Sequence, residues 1–472
     1  MPKFETPPPF RPYHPSNGMS GFWYGSFYRQ RVDGLNVDAN AVNIMASLIS
    51  DNTRPGEGAP YATMTPFGQD NWNNSYVSGA AAASYFSDVW PNPTSAASVT
   101  QTNWNILRSD RSTANPHPYF SDLRQQDATR ANPLFGGGYL VGISGDRHAT
   151  LWIPGKRMLV EAIGYSGLNA SCEAIVKYSW GDENTGIPNF TLPLASTGGG
   201  PAGANAASIP VGPLFFTYDD LLECGETGDL GHMVGISLRN YGRISAGQPT
   251  GWYRWPARRS DGTIDGSAVK AGQVFRLKST FNEATAFPTN QPLRALARTL
   301  KKYGMIVYDR NFNIAKITVP NDPKWPTGSQ DLGVVLGNKL PLSNFEPVDM
   351  DPIAGPTNSI QVLAPFPEAD SFGVLQSVIG FTPAYGGEQI TLNGDNLTGT
   401  TKVVITGALS AVSFTVVNDN TLTFVAPPGQ PGLCDFWVEN IYGSSNFLDF
   451  VYTTVIPSQN VHSASSGRMG LG

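Results

Sequence analysis

The amino-acid sequence predicts a mainly β protein: a β-sandwich-like body with one or two helices, followed by a small C-terminal sandwich. The chain has 472 residues, with 51 Gly, 38 Pro, 11% aromatic and only 14% charged residues, whereas charged residues make up roughly 25% of an average globular chain. Short β-branched and aromatic runs recur between Gly, Pro and Asn, which is typical of strands joined by tight turns. The length is sufficient for two or three domains.

Composition along the chain predicts five segments. They are an extended Pro-rich arm at 1–18, a β-rich body at 19–345, a linker at 346–372, the C-terminal sandwich at 373–455 and a flexible tail at 456–472. Clustered prolines exclude a helix in the arm and favour an extended path. The segment could be a disordered tail or an arm laid along a neighbouring subunit, and its aromatic side chains Phe4, Phe10 and Tyr13 are the observation that supports the anchoring arm.

Helical periodicity identifies the helices of the body. Apolar residues at helical spacing predict helices over 37–49 and 292–303, the second with Pro292 near its start and Gly304 as its stop. A shorter helix is indicated over 216–224, with Thr217 as its cap.

Runs with strand character fill much of the rest of the body. They predict strands at 139–143, 149–153, 157–163, 174–178, 232–238 and 273–277. Residues 305–308 and 314–318 predict a hairpin that turns at 309–313.

The net charge argues against a nucleic-acid-binding protein. The net charge of −6 is unfavourable for nucleic-acid binding, because neutralising phosphates requires clustered cations. The one basic cluster, Arg294, Arg298, Lys301 and Lys302, has helical spacing and favours a solvated helix face.

Hydropathy predicts neither a membrane span nor a signal peptide. The sequence contains no apolar run of about twenty residues and no apolar signal core near the N-terminus. We therefore expect synthesis in the cytoplasm without an export signal.

Residues that could carry chemistry are few. His148 and His232 lie beside predicted strands and, with Asp146, Asp261 or Glu173, could form an acid–base or metal site; Asp261 is the favoured acidic partner. The favoured alternative is a buried structural hydrogen bond for each histidine, because no recognised metal-ligand spacing is present. We predict no catalytic residue, no metal and no other cofactor; if the protein is an enzyme, His148, His232 and Asp261 are the candidates. Asp261 and Asp265 could form a carboxylate pair for glycoside hydrolysis, although turns commonly use aspartate.

The three cysteines do not form a disulfide framework, since their number is odd and their spacing is wide. Cys172 and Cys224 could form one bridge, but free buried thiols are favoured for all three.

Aromatic clusters provide the best candidates for recognition. They include Trp23, Tyr24, Trp252, Tyr253 and Trp255. Such rings pack in cores, anchor protein interfaces or stack on sugar rings. Core packing is favoured for most of them, while Trp252 and Tyr253 are the best sugar-platform candidates because Gly and Pro bound their loop.

The C-terminal motifs resemble a known family. Ile379–Pro383, Gly386–Gly387, Leu422–Pro428 and Phe436–Asn440 follow one another in the order found in the immunoglobulin-like IPT/TIG domain. This resemblance implies an immunoglobulin-like sandwich that displays, spaces or joins other domains.

The body is similar to a set of uncharacterised secreted bacterial β-proteins. The similarity lies in Gly145–His148, Gly231–His232 and Trp255–Gly262. It implies an extracellular all-β fold with a link to glycans, and it brings no known reaction.

Together these features predict a structural or adhesion component of a bacteriophage virion, such as a capsid decoration, spike or tail-fibre protein. We expect a homo-oligomer that contacts other virion proteins and could bind a host-surface glycan. We expect it to be made in the host cytoplasm, carried on the virion and extracellular after release. The alternative is a polysaccharide-active hydrolase with an accessory immunoglobulin-like domain. A DNA-binding regulator is a third interpretation, against which the acidic balance weighs.

Overall fold

A computed structural model provides the structure of the chain. It describes residues 26–53, 58–64, 205–243, 253–257, 260–311, 315–317, 319, 326, 332–355, 367–373, 379–445 and 448–453, and the backbone of further strands within 73–179. The chain forms two compact units. The first comprises Met1–Phe366 and Ile441–Asn446, and the second comprises Pro367–Asn440 and Phe447–Gly472.

Five helices and nineteen strands lie within the described residues. The helices are α1 (Ala41–Asn52), α2 (Tyr218–Glu223), α3 (Glu283–Ala286), α4 (Gln291–Lys302) and α5 (Leu332–Leu336). The strands of the first unit are β1 (Thr63–Met64), β2 (Asn73–Tyr76), β3 (Leu107–Arg108), β4 (Ala149–Ile153), β5 (Met158–Ile163), β6 (Ala174–Ser179), β7 (Val234–Leu238), β8 (Val274–Leu277), β9 (Met305–Arg310), β10 (Lys316–Ile317) and β11 (Phe345–Pro347). Those of the second are β12 (Glu368–Phe372), β13 (Ile379–Pro383), β14 (Gln389–Asp395), β15 (Lys402–Ile405), β16 (Ser413–Asn418), β17 (Thr421–Val425), β18 (Gly432–Glu439) and β19 (Leu448–Thr453).

The predicted fold class is confirmed: the protein is mainly β, with several sheets and few helices. The two helices of twelve residues, α1 and α4, correspond to the two predicted amphipathic helices. The short α2 was also indicated, and its Thr217 forms a complete capping box with Asp220. Only α3 and α5, of four and five residues, have no counterpart in the prediction.

A six-stranded sheet forms the centre of the first unit, in the order β1-β10-β7-β9-β8-β11. Strand β7 is buried along all five residues. It pairs in parallel with β9 and antiparallel with β10. Val234, Ile236 and Leu238 lie on one face of β7 and the small residues Gly235 and Ser237 on the other; since all five are buried, the strand is covered on both faces. Gln273, directly before β8 of this sheet, contributes its side chain to the site described below.

The predicted hairpin of residues 305–308 and 314–318 is wrong. Strands β9 and β10 form where expected, but they are not neighbours, because β7 lies between them. The turn is held to β7 instead: the Asn311 backbone N–H donates to the Leu238 carbonyl at 2.8 Å, and its side-chain amide donates to the Ser237 hydroxyl at 2.8 Å. Each strand gains a buried partner that is distant in sequence, which a two-stranded hairpin would lack.

Helix α4 follows its predicted pattern closely. The Asn290 side chain accepts a hydrogen bond from the Leu293 backbone N–H at 2.9 Å and caps the first turn. Leu293, Leu296 and Leu300 are fully buried, so one face of the helix packs into the core.

The basic residues of α4 are paired with nearby groups. Arg294 pairs with Glu226 at 2.6 Å, Lys301 with Glu283 at 2.6 Å and Lys302 with Asp229 at 3.2 Å. Arg298 donates to the carbonyl oxygens of Gly228 and Gly225 at 2.7 and 2.9 Å. The predicted solvated face therefore also anchors the loop before β7, and its charge is locally compensated.

Helix α1 begins four residues later than the prediction of 37. The Asp38 side chain accepts a hydrogen bond from the Asn40 backbone N–H at 2.8 Å, and the Asp38 carbonyl accepts one from the Ala41 N–H at 2.9 Å. These bonds form a turn that precedes the helix. Ile44 and Leu48 then form its buried face.

A five-stranded sheet, in the order β2-β4-β5-β6-β3, completes the first unit. Strands β4, β5 and β6 form an antiparallel meander. They match the predicted strands at 149–153, 157–163 and 174–178 to within one residue. On the other side of the first unit, β11 pairs with β8, so ordered sheet structure continues past residue 345.

The second unit is a two-layer sandwich. Its four-stranded sheets have the orders β12-β14-β17-β16 and β13-β19-β18-β15. Aromatic side chains from both sheets meet in the core: the Phe436 ring lies 4.9 Å from Phe372, 5.3 Å from Phe424 and 6.2 Å from Phe450, between centroids. Alternation of buried and exposed residues along the strands produces this interior.

Candidate functional site

The backbone of the aromatic segment at 253–257 pairs with residue 271 in the first unit. Tyr253 is bridged in parallel to Ala271, and the Arg254 N–H donates to the Ala271 carbonyl at 2.8 Å. The chain then turns through a cis Trp255–Pro256 bond, and the Ala257 N–H donates to the Arg254 carbonyl at 2.8 Å. Backbone hydrogen bonds on both sides of Arg254 thus fix the position of its side chain.

Two carboxylates and one amide hold the Arg254 guanidinium. Its Nη1 donates to Asp38 Oδ2 and, at 3.2 Å, to Gln273 Oε1, while Nη2 donates to Asp351 Oδ2 at 3.3 Å. The Asp38 side chain is only 5% exposed, whereas that of Asp351 is 68% exposed. The first pair is therefore part of the interior, and the second is a surface pair of the kind that contributes little to stability.

Lys270 lies close to this group without bonding to it. Its side chain is half-buried and, within the described part of the chain, makes no hydrogen bond or ion pair. Burial lowers the pKa of Lys270, the positive charge of Arg254 lowers it further, and Asp351 and Asp38 act in the opposite direction. We call Asp38, Tyr253, Arg254, Lys270 and Asp351 the Arg254 cluster.

Two aromatic side chains flank Arg254 in the sequence. Tyr253 and Trp255 are both half-buried. The Trp255 ring meets Phe27 edge to face, with 5.9 Å between centroids and 73° between planes, which fixes its orientation from the core side. A surface of half-buried rings beside charged and amide groups can bind a ligand that has both apolar faces and hydroxyls. Of the other predicted aromatic candidates, Trp23, Tyr24 and Trp252 lie outside the described residues, as do the arm residues Phe4, Phe10 and Tyr13.

The two described members of the predicted catalytic set do not meet. His232 precedes the first residue of β7, whereas Asp261 accepts a hydrogen bond from the Tyr241 hydroxyl at 2.5 Å beyond the last residue of that strand. Five strand residues span about 16 Å, so the two side chains lie at opposite ends of β7. His148 lies outside the described residues.

His232 has the properties of a structural histidine. It is 2% exposed, and its Nδ1 lies 2.8 Å from the Met233 carbonyl oxygen. Nδ1 therefore carries the proton, because a carbonyl can only accept. Burial lowers the pKa of His232 to about 4; the hydrogen bond to Met233 opposes this change, and the charge of Arg29 adds to it. The ring is neutral at physiological pH and has little access to solvent.

The two neighbouring aspartates have separate partners. Asp261 Oδ2 lies 3.6 Å from Arg310 Nε, while Asp265 forms an exposed double hydrogen bond with Arg243. Burial, with the nearby charge of Asp261, raises the pKa of Tyr241 well above its usual value. Tyr241 thus stays protonated and donates to Asp261, which orients that carboxylate.

Other possible sites are limited in the described ranges. Among these residues, no cluster of three or more His, Cys, Asp or Glu could bind a metal ion. Cys434 is a buried free thiol, Cys224 Sγ lies 3.1 Å from the Asp220 carbonyl oxygen, and Cys172 is outside the described residues. In the same ranges, no helix is both long and apolar enough to span a membrane.

Sequence reasoning identified Tyr253 and missed the four charged members of the Arg254 cluster: Asp38, Arg254, Lys270 and Asp351. The available signal was Arg254 itself, a cation between aromatic residues in Tyr253–Trp255. Its partners come from positions 216 and 97 residues away, and no local pattern indicates such pairs.

The second unit is an immunoglobulin-like sandwich by its two sheets and their shared aromatic core. Residues 375–452 match the family model described as IPT/TIG domain, and this part of the chain is an IPT/TIG domain. The predicted C-terminal resemblance is therefore confirmed. The search of curated proteins found no match to the chain.

Solved structures match only a small part of the chain. One is SGBP-B from the mixed-linkage glucan utilization locus of Bacteroides ovatus, in complex with a mixed-linkage heptasaccharide: 14% identity, 16% of this chain and 23% of that chain covered, TM-score 0.13. Another is SGBP-B from a complex xyloglucan utilization locus of Bacteroides uniformis: 22% identity, 19% and 24% covered, TM-score 0.15. A third, from Bacteroides thetaiotaomicron, has 21% identity, 18% and 22% covered, and a TM-score of 0.14. The match thus spans about a quarter of the length of these structures, and likeness at this level carries no functional argument.

Proposed function

We propose that this protein is an adhesion protein that binds a cell-surface glycan at the Arg254 cluster without catalysing a reaction. One observation carries the proposal: Tyr253 and Trp255 are half-buried aromatic side chains that flank, in the sequence, an arginine held in place by the buried Asp38. Aromatic faces stack on the apolar faces of sugar rings, and fixed polar groups can bond the hydroxyls. A rigid surface loses little entropy when a ligand binds.

The IPT/TIG domain has a separate role in this proposal. Two sheets joined by an aromatic core form a rigid module that can hold the binding unit away from its point of attachment. The described His232 and Asp261 lie at opposite ends of β7, which favours binding over acid–base catalysis.

The more specific proposal is a virion component of a bacteriophage: a capsid decoration, spike or tail-fibre protein. It would be made in the host cytoplasm, assemble as a homo-oligomer with other virion proteins, and act outside the cell after release. Low charge, many aromatic residues and the aromatic side chains of the Pro-rich segment 1–18 support it. Deletion of residues 1–18 should abolish incorporation into particles and leave the remainder folded; normal incorporation of the deleted chain would contradict the anchoring role.

Glycan binding can be tested on the full chain with immobilised cell-surface polysaccharides. Tyr253→Ala should weaken binding about tenfold, since a lost stacking contact in a carbohydrate site resembles loss of an aromatic anchor. Tyr385→Ala, which changes a 64% exposed tyrosine of the second unit, should have no effect. Equal loss in both variants, or no binding by the unmodified chain, would overturn the proposal.

A polysaccharide hydrolase is the second candidate, because Asp261 is a partly exposed carboxylate oriented by the buried Tyr241. Incubation of the chain with host polysaccharide should release no reducing ends if the protein only binds. Release that disappears in Asp261→Asn would favour the hydrolase instead.

A further inference from the structure

The two cations of the Arg254 cluster differ in their direct bonds to carboxylates. Arg254 bonds directly to both Asp38 and Asp351, whereas Lys270, within the described residues, bonds to neither. A half-buried ammonium group next to another cation is unfavourable unless an anion approaches it. The cluster thus contains a cation that, among the described residues, no carboxylate bonds directly, and this is the kind of group that a negatively charged ligand would satisfy.

The two carboxylates differ in how easily they could be displaced. Asp38 is almost fully buried and also accepts the Asn40 N–H at 2.8 Å before helix α1. Asp351 is 68% exposed, and its ion pair with Arg254 spans 3.3 Å. Surface pairs of this type are weak because water and salt screen them. An external anion can therefore replace Asp351 at Arg254 Nη2 but not Asp38 at Nη1.

The lysine and the aromatic side chains lie on adjacent backbone segments. Tyr253 is bridged to Ala271, the residue after Lys270, and paired backbones are about 4.8 Å apart. Arg254 and Lys270 are each one residue away from this bridged pair, so their side chains extend to the same face of it. An anion at the outer nitrogen of Arg254 would thus be within reach of Lys270. The group that now occupies this nitrogen is a carboxylate, so a carboxylate is the anion that the site is known to fit.

We infer that the Arg254 cluster selects acidic saccharides: a uronate carboxylate takes the place of Asp351 at Arg254 Nη2 and pairs with Lys270. This inference rests on the proposed glycan binding and adds the class of glycan. Charge-assisted hydrogen bonds of this type are stronger than those between neutral groups, so the acidic group would dominate selectivity.

The test is calorimetric titration of the full chain with an oligogalacturonate and with its carboxyl-reduced counterpart, which has the same rings without the charge. The reduced sugar should bind about tenfold more weakly, and Lys270→Met should lower affinity for the uronate by a similar factor, because each change removes the new ion pair. Lys270→Met should therefore bring the ratio of the two affinities close to one. Lys402→Met, which changes a 61% exposed lysine of the second unit, is the matched control.

A second variant, with an expected gain of affinity, distinguishes a lost ion pair from misfolding of Lys270→Met. Asp351→Asn changes an exposed residue and removes the internal competitor, so it should raise the affinity for the uronate and reduce that for the neutral sugar little or not at all. Equal binding of the two sugars would overturn the inference and leave glycan binding intact, whereas binding of neither would overturn both. Preference for the uronate that is unaffected by Lys270→Met and Asp351→Asn would also overturn it, because the acid would then be recognised elsewhere.

Discussion

Gly272 supports the turn that carries Arg254, and its replacement tests whether that turn is essential. It has φ of +81°, and a Cβ at this position would lie 2.8 Å from the Ala257 Cβ and closer still to the Arg254 carbonyl oxygen. The left-handed backbone costs a non-glycine residue about 1–2 kcal/mol, and overpacking adds about 1–3 kcal/mol. Gly272→Ala should therefore lower the free energy of unfolding of the first unit by about 2–5 kcal/mol.

Gly266 provides a matched control for the cost of the left-handed backbone alone. Its φ is +76°, and no atom lies within 4 Å of a Cβ built there. Gly266→Ala should cost only the left-handed term of about 1–2 kcal/mol. Urea unfolding of both variants, with glycan binding measured in parallel, separates the two contributions.

The expected pattern is a larger loss of stability and a loss of binding in Gly272→Ala alone. Equal costs in the two variants would refute the reasoning, because the close approach of Gly272 to Arg254 would then be unimportant. Full binding by a destabilised Gly272→Ala would show that the turn at Arg254 tolerates displacement and that the site lies elsewhere.

Three further predictions concern the core, a titrating group and a helix cap. Phe436→Ala should destabilise the second unit by about 3–5 kcal/mol, whereas Phe381→Ala, on a ring that is 56% exposed, should cost about 0.5 kcal/mol or less; similar values in calorimetric unfolding would contradict the assigned core. The pKa of His232 is about 4 in the folded protein, against 6.5 for an unperturbed histidine, so the unfolded chain binds more protons between these values, and stability should fall by up to about 3 kcal/mol as pH drops through that window. His232→Asn should flatten this part of the pH–stability curve, and an unchanged slope would exclude the histidine as its cause. Thr217→Ala removes one side of the capping box and should cost about 1 kcal/mol in urea unfolding, while Thr217→Ser should retain most of the stability.

Local elements were predictable because their signals are local. The apolar spacing of Leu293, Leu296 and Leu300 placed helix α4 to within one residue, and Thr217 marked the start of α2. The runs at 149–153 and 174–178 became strands β4 and β6 for the same reason. The motifs from Ile379 onward were sufficient to indicate a complete sandwich, since its strands follow one another within about eighty residues.

Pairings between distant residues were not predictable. Strand β7 separates β9 from β10, although some seventy residues lie between β7 and β9, because burial rather than sequence proximity selects the partner. The contacts of Arg254 are likewise between residues distant in sequence. Asp38 precedes α1 and Asp351 follows β11, and the tertiary packing of the first unit brings both carboxylates to Arg254. Sequence patterns identified the aromatic residues at 253–255 but could not show which charged groups would surround them.

The pairing of β13 with β19 has a mechanical consequence for the second unit. The two strands run in parallel, from Ile379 beside Asp449 to Pro383 beside Thr453, so the polypeptide enters the pair at one end and leaves it at the other. Tension applied between Ile379 and Thr453 would act along the two strands and load their hydrogen bonds together, instead of opening them one after another. A strand pair loaded in this way resists stretching until its hydrogen bonds give way together.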